Sequence, residues 1–164
     1  MTRKLVYIFI VVLFGASCSN TKYLAEGELL YIGGDVKIED KEADKKQRKA
    51  LQAALEGMLR PKPNTKILGL RPKLWIYNVA GKPKKEKGIR HWLRTKVGEP
   101  PVLFSQVDLG FNADVLQSYS ENKGYFKART SADSTLRKKK VKANYTVTTG
   151  KQYKVKSVTF PTDS

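Results

Sequence analysis

The fold is decided by two stretches, Phe126-Lys127-Ala128-Arg129-Thr130-Ser131-Ala132 and Val141-Lys142-Ala143-Asn144-Tyr145-Thr146-Val147-Thr148, in which apolar and polar residues alternate. A period of two is typical of a strand with one buried and one exposed face. Because a short basic loop, 134–140, joins the stretches, we expect an antiparallel hairpin. The sequence therefore predicts a sheet that is apolar on one face and polar on the other.

Helical patterns precede this hairpin. Apolar residues recur at three- and four-residue spacings over Asp40–Leu59, and at four-residue steps from Val107 to Tyr119. Such spacings indicate two amphipathic helices. We expect Asp40 to be the N-cap of the first helix and Ser105-Gln106-Val107-Asp108 to form a capping box for the second.

Shorter elements complete the α+β pattern. Two short helices are expected at about 70–79, burying Trp75, Ile76 and Val79, and at 89–97, burying Ile89, Trp92 and Leu93. Nearer the N-terminus, Leu29–Ile38 has the composition of a first strand or a small hairpin, with Gly33-Gly34-Asp35 as a turn or bulge within it. Together these elements predict an α+β fold.

The first eighteen residues have the composition of an export signal. A basic start precedes ten apolar residues, Leu5–Phe14, and small residues then lead to the only cysteine, Cys18. A run of ten is too short to cross a bilayer as a helix, which takes roughly 20 residues. The pattern favours a lipoprotein signal peptide over 1–17, with Cys18 acylated at the start of a tether, 18–28. An ordinary cleaved signal and an uncleaved anchor are the alternatives.

The formal net charge of +17 points to an anionic partner. Outside the cytoplasm the commonest such partner is a lipid headgroup, to which each basic residue near the surface contributes about 1 kcal/mol. Solvated loops that keep the chain soluble are the alternative interpretation of any one cluster. The candidate anionic-surface residues are Lys82, Lys84, Lys85, Lys87, Arg90, Arg94, Lys96, Arg137, Lys138, Lys139, Lys140 and Lys142.

The reactive side chains argue against catalysis. His91 is the only histidine, and no cysteine besides Cys18 is present to form a metal site with it. No Gly-x-Ser-x-Gly nucleophile turn occurs. We therefore expect no enzyme activity, no metal and no cofactor, apart from a covalent lipid on Cys18.

Three further segments carry a family resemblance, namely Val97–Phe104, Tyr119–Phe126 and Tyr145–Val158. They resemble the POTRA domain, the periplasmic module of the BamA/TamA outer-membrane assembly proteins. The segments Cys18–Glu28, Arg60–Asn64 and Lys73–Asn78 resemble more narrowly the lipoprotein branch of that family, called TamL. That branch joins a lipobox to POTRA domains and a C-terminal transmembrane barrel.

The resemblance implies two helices packed on a small mixed sheet. The expected domains are a POTRA-like module at 29–150 with a helical insertion at about 43–96, then the truncated start of a second module at 151–164. The barrel is expected outside this sequence, which has no run of barrel-type strands. The expected location is the outer membrane of a Gram-negative bacterium, where the protein is lipid-anchored.

The implied function is non-catalytic assembly of outer-membrane proteins, with clients or partners bound by strand addition to a free sheet edge. Two other functions remain open: a stand-alone envelope lipoprotein that binds anionic lipid or polyanion, and a nucleic-acid-binding protein with Trp75, Tyr77 and Trp92 as stacking platforms. The N-terminal signal argues against nucleic acid. The candidate edge residues are Tyr125, Phe126, Lys127, Ala128, Arg129, Val141, Ala143, Tyr145 and Val147.

Overall fold

The computed structural model describes residues 20–40, 44–83 and 85–160. In chain order the elements are β1 (Leu30–Glu39), α1 (Lys45–Met58), α2 (Pro72–Ala80), α3 (Ile89–Trp92), α4 (Leu109–Asn122), β2 (Arg129–Arg137) and β3 (Lys140–Thr148). Short 3-10 turns lie at Asn20–Tyr23 and Phe104–Gln106, and a π-helical turn, Leu93–Val97, continues α3. The signal segment 1–17 and Cys18 lie outside the described residues.

The described chain forms two compact units. Residues 20–27 and 64–101 make up the helical unit, which contains α2 and α3. The sheet unit comprises the described residues of 28–63 and 102–160, and contains the strands together with α1 and α4.

The sheet unit contains a three-stranded mixed sheet. Its strand order is β1-β3-β2, with β3 parallel to β1 and antiparallel to β2. The register shifts between Tyr31 and Gly34, which confirms the irregularity predicted from the glycine pair. The α+β fold class is therefore confirmed, with four helices and one mixed sheet in the described residues.

The core of the sheet unit lies between the sheet and its two helices. Alternate side chains of β3, from Val141 to Val147, are buried. Within the core, Tyr145 and Val147 cluster with Leu55 of α1 and Leu116 of α4. Complete burial of one such side chain contributes about 1.5–3 kcal/mol. The alternation of the second strand thus has the physical cause that the sequence predicts.

The hairpin is longer than the sequence predicts. Strand β2 continues to Arg137, which pairs with Lys140, so only Lys138 and Lys139 remain in the turn. The prediction of a loop at 134–140 is wrong because cross-strand pairing with β3 orders these residues despite their basic composition.

The two helix starts differ from the predicted caps. Helix α1 begins at Lys45, and the Asp40 carboxylate instead accepts a hydrogen bond from the Thr149 hydroxyl at 2.8 Å. Helix α4 is capped by Asp108, whose Oδ1 accepts from the Phe111 amide at 2.8 Å, and not by Ser105. A polar side chain near a helix start caps it only where the backbone geometry aims an amide at that side chain.

The helical unit leaves most of its large apolar side chains exposed. Leu74 and Ala80 of α2 are buried, whereas Trp75 is 42% exposed. On α3, Ile89 is 79% exposed and Trp92 is 55% exposed. The predicted burial of these residues and of Val79 is therefore wrong, because a unit this small has too little interior to enclose them.

The boundaries of the two units differ from the predicted insertion at about 43–96. Helix α1 groups with the sheet because Leu55 is in the sheet core and Leu51 packs against it. The segment between the two parts of the sheet unit is instead 64–101. Residues 151–160 contain no helix or strand, and the start of a second module there remains a prediction.

Candidate strand-addition edge

Strand β3 is the central strand of the sheet. It pairs with β1 on one side and with β2 on the other, so both of its edges are occupied. Val141, Ala143, Tyr145 and Val147 are also buried. The prediction that these four residues form a strand-addition edge is therefore wrong. Alternation of apolar and polar residues indicates that one face of a strand is buried. Because this pattern is the same in a central strand and in an edge strand, it does not show which edge is free.

Residues 125–128 form a turn that leads into β2. Tyr125 and Ala128 are buried, and the Ala128 amide donates to the Tyr125 carbonyl at 2.8 Å. Phe126 is exposed, and its ring centroid lies 5.7 Å from that of Tyr153. Of the edge predicted at 125–129, including Lys127, only Arg129 belongs to a strand.

The outer edge of β1 is partly covered. The Tyr31 amide donates to the Val102 carbonyl at 2.9 Å, and the Phe104 amide donates to the Leu29 carbonyl at 2.8 Å. Farther along β1, residues 35–38 border a groove of about 540 Å³ whose α1 wall carries Lys45, Arg48, Lys49 and Gln52. The first part of this edge is therefore already paired.

The outer edge of β2 pairs with no other strand in the described residues. The Thr130 amide donates to Gln117 Oε1 at 3.4 Å, and the Ser134 amide donates to Asp133 Oδ1 at 2.6 Å. Backbone groups alternate in direction along an antiparallel strand. The amides at 132 and 136 therefore point outward with those at 130 and 134, and two of the four bind side chains.

The side chains along β2 define the surface beside this edge. Ala132 pairs with Tyr145 and Leu136 pairs with Val141, so both lie on the face of the sheet that carries the core. Leu136 is 58% exposed. The opposite face carries charged residues such as Arg129 and Asp133, which natural edge strands use against unwanted pairing. A strand added beside β2 would extend the buried face and cover Leu136.

The predicted basic residues lie in two different units. Those from Lys82 to Lys96 belong to the helical unit, with Lys84 outside the described residues, and those from Arg137 to Lys142 lie at the β2–β3 turn. The two basic runs of the sequence therefore belong to different units.

Two of the basic residues bind within their own unit. The Arg94 guanidinium donates to the Tyr77 carbonyl at 3.2 Å and to the Gly81 carbonyl at 2.9 Å, and lies 3.8 Å from the centroid of the Tyr77 ring. Lys142 forms an ion pair with Asp35. Both therefore contribute to local structure, whereas Lys82, Lys85, Lys87, Arg90, Lys96 and the 137–140 residues are exposed.

The clearest pKa shifts in the sheet unit concern two buried phenols. Burial raises the pKa of Tyr31 to about 12, and the neighbouring Tyr145 adds to the shift. Burial likewise raises the pKa of Tyr145, the nearby Asn112 side chain opposes the shift, and the charge of Asp108 adds to it. Both phenols are therefore neutral at physiological pH and act as core side chains.

Comparison with known proteins gives no matching family model, curated protein or solved structure. Within 20–40, 44–83 and 85–160, no helix has the length and apolarity to cross a membrane. The same residues contain no group of three His, Cys, Asp or Glu side chains placed to hold a metal ion.

Sequence reasoning missed the features that distinguish the β2 edge. Gln117 and Asp133 bind its outward amides, and neither residue carries a local sequence signal for that role. It also missed the turn at Ile67–Leu70 in the helical unit, for which the Leu68-Gly69 pair was an available signal.

Proposed function

We propose that this chain is the POTRA-containing part of an outer-membrane protein assembly factor of the BamA/TamA type, and that it binds client or partner polypeptides by strand addition. The single observation that carries the proposal is the nine-residue strand β2, whose outer edge pairs with no other strand of the described chain. Two helices packed on one face of a mixed sheet are also the arrangement that the resemblance implies.

The incoming strand would bind chiefly through the backbone. Each new hydrogen bond contributes about 0.5–1.5 kcal/mol net, so several are needed for useful affinity. The contacts of Thr130 with Gln117 and of Ser134 with Asp133 would be exchanged for bonds to the client. An apolar client side chain beside Leu136 would add burial, which favours clients with alternating sequences such as barrel strands.

Ala132→Pro is the variant that tests this edge. Its amide points outward, so proline removes a docking donor and leaves the ladder to β3 intact, as proline does on natural edge strands. With a urea-unfolded porin as the probe, we expect the affinity to fall about ten-fold or more. One hydrogen bond is lost, and the proline ring obstructs the alignment of the incoming strand with β2. The matched control, Ala132→Val, keeps the amide and should bind like the parent chain.

The outcomes of this experiment are distinct. Circular dichroism and thermal unfolding would first show that Ala132→Pro is folded. A folded variant with undiminished porin binding would exclude the β2 edge as the client site. Ser131→Pro supplies a contrast, because Ser131 lies at an inward position opposite Thr146 and its substitution should destabilise the sheet itself.

Lipidation at Cys18 is a separate part of the proposal. It would anchor the protein to a membrane, and the resemblance implies that this is the outer membrane. Intact mass of the membrane-fraction protein should show a chain that begins at Cys18 and carries added acyl mass. The Cys18→Ala variant should lack that mass. If both forms retain Met1 and are unmodified, the lipoprotein assignment is wrong.

A further inference from the structure

A tight turn at Ile67–Leu70 presents apolar side chains to solvent. The amides of Ile67 and Leu70 each donate to the carbonyl of the other at 2.9 Å, which closes a two-residue turn. At its centre Leu68 has a φ of 48° and Gly69 a φ of 84°. Ile67 and Leu70 are exposed, and Leu68 is 98% exposed.

Leucine is a poor choice for this position on grounds of folding. The left-handed conformation is unfavourable for a residue with a large side chain by roughly 1 kcal/mol, whereas asparagine or glycine adopts it readily. Leu68 also gains almost no burial in return. Leu68 is therefore an apolar residue that is unfavourable in its backbone conformation and is not buried within its own unit. This combination indicates that Leu68 contacts a partner outside the chain.

The surroundings of the turn favour an anionic lipid surface over an apolar protein pocket. Lys66 and Arg71 flank the turn directly. In the described part of the helical unit, basic residues outnumber acidic ones by about three to one. Trp75 and Trp92 are partly exposed in the same unit, and tryptophan is favoured at membrane interfaces. Apolar and aromatic residues interspersed with lysine and arginine are typical of segments that lie in the headgroup region.

The N-terminal sequence brings this unit close to a bilayer. The first described residue, Asn20, belongs to the helical unit and follows the apolar run Leu5–Phe14 by only six residues. Six extended residues span at most about 20 Å. An anchor at the apolar run, or a lipid on Cys18, would therefore hold the helical unit at the membrane surface, an argument that rests on the anchoring proposed above.

We propose that the Ile67–Leu70 turn is a membrane-insertion tip whose ligand is a bilayer surface containing anionic lipid. Leu68 enters the boundary between headgroups and acyl chains, while the exposed Lys66 contacts headgroup phosphates. Binding here would orient the chain on the membrane independently of client capture at β2.

The native tryptophans report this contact, because Trp75 and Trp92 are the only two in the chain and both belong to the helical unit. The mature chain, which begins at residue 18 and carries Cys18→Ala, is mixed with vesicles of phosphatidylcholine, or of phosphatidylcholine with phosphatidylglycerol, each containing a nitroxide-labelled lipid. We expect strong tryptophan quenching with the anionic vesicles and weak quenching with the neutral ones. Because Cys18 is absent, this result does not depend on acylation.

Leu68→Asn separates insertion from folding. Asn-Gly is a preferred pair for a two-residue turn with positive φ at both centres, so the variant should be at least as stable as the parent. The partition constant from quenching titrations should fall about ten-fold. This is the loss expected when the free energy of transferring one leucine side chain from water into the bilayer is removed. The matched control is Val155→Asn, which also replaces an apolar side chain at a highly exposed position of the sheet unit, and it should bind like the parent.

A dye gives the position of the contact. A fluorophore on Leu68→Cys should shift to the blue and be quenched by anionic vesicles, whereas one on Thr135→Cys in β2 should not. Equal quenching at the two positions, or unchanged partitioning of Leu68→Asn, would overturn the proposal. If the emission of the fluorophore on Leu68→Cys shifts to the blue when the protein concentration rises in the absence of vesicles, the turn contacts another protein molecule, and the proposal of a membrane contact is overturned.

Discussion

Asn112→Ala should destabilise the sheet unit strongly, because one buried amide joins the end of α1 to α4. Asn112 is 2% exposed. Its Oδ1 accepts from the Arg60 amide at 2.9 Å, and its Nδ2 donates to the Arg60 carbonyl at 2.6 Å and to the Asp108 carbonyl at 3.0 Å. Alanine removes all three hydrogen bonds and leaves the helix backbone intact.

The magnitude follows from the groups that lose a partner. The Asp108 carbonyl still accepts from the Asn112 amide at 3.1 Å, whereas the Arg60 amide and carbonyl lose the Asn112 side chain from a partly buried site. A buried polar group left without a partner costs about 1–3 kcal/mol. The free energy of unfolding should therefore fall by about 2–4 kcal/mol.

Urea unfolding followed by circular dichroism measures this change. The midpoint should fall with an unchanged dependence on urea concentration, since the surface exposed on unfolding stays the same. Asn144→Ala is the matched control: its Nδ2 donates to Thr135 Oγ1 at 2.8 Å at an exposed site, and its loss should change stability by less than about 0.5 kcal/mol. Equal effects of the two substitutions would refute the reasoning, because water would then be replacing the Asn112 amide.

Three further predictions concern the β2 edge and the helical unit. Asp133→Ala frees the outward Ser134 amide, so porin binding should strengthen or the chain should self-associate; sedimentation and binding unchanged from the parent would contradict this. Partial burial tends to raise the pKa of Glu99, but hydrogen bonds from Thr65 and Lys73 outweigh it and lower the pKa. The contribution of the Glu99 carboxylate to the stability of the helical unit is therefore present above the unfolded pKa of about 4.3 and is lost as the pH falls through the folded pKa. Tryptophan-detected urea midpoints should decline with acid more steeply in the parent than in Glu99→Gln, and equal slopes would count against it. Gly98→Ala should unfold the helical unit, since a Cβ there would lie 2.9 Å from the Tyr77 backbone, whereas Gly57→Ala, in open space, should not.

Short-range patterns predicted most elements of the sheet unit. The alternation over Val141–Thr148, the spacing of apolar residues in α1 and the bulge near Gly34 act within a few residues, and the structure confirms them. The observed bounds of these elements differ from the predicted ones where tertiary contacts supplied a hydrogen-bond partner. Strand β2 extends to Arg137 because β3 lies beside it, and Asp40 binds Thr149 in place of capping a helix.

The candidate site was less predictable. The sequence offered both strands of the hairpin as candidate edges, one of which was expected to bind a partner, and the structure excludes β3 because β1 occupies its second side. The amide contacts of Gln117 and Asp133 depend on where α4 and β2 meet and on how one side chain folds back on its strand. The exposed apolar turn at Leu68 depends on a local conformation that leucine rarely adopts.

The sequence by itself determined the α+β class, the hairpin, the basic charge and the expected N-terminal signal, because each depends on composition or on neighbours along the chain. Only the tertiary structure decided that β3 is central and β2 is an edge. The parallel pairing of β1 with β3 joins Tyr31 to Val141 across most of the chain, and a hydrogen-bonded ladder of that kind depends on backbone groups that are the same in nearly every residue. No local pattern of side chains specifies which strand pairs with β3 on its second side. That pairing follows from how the helices and strands of the sheet unit pack into one core.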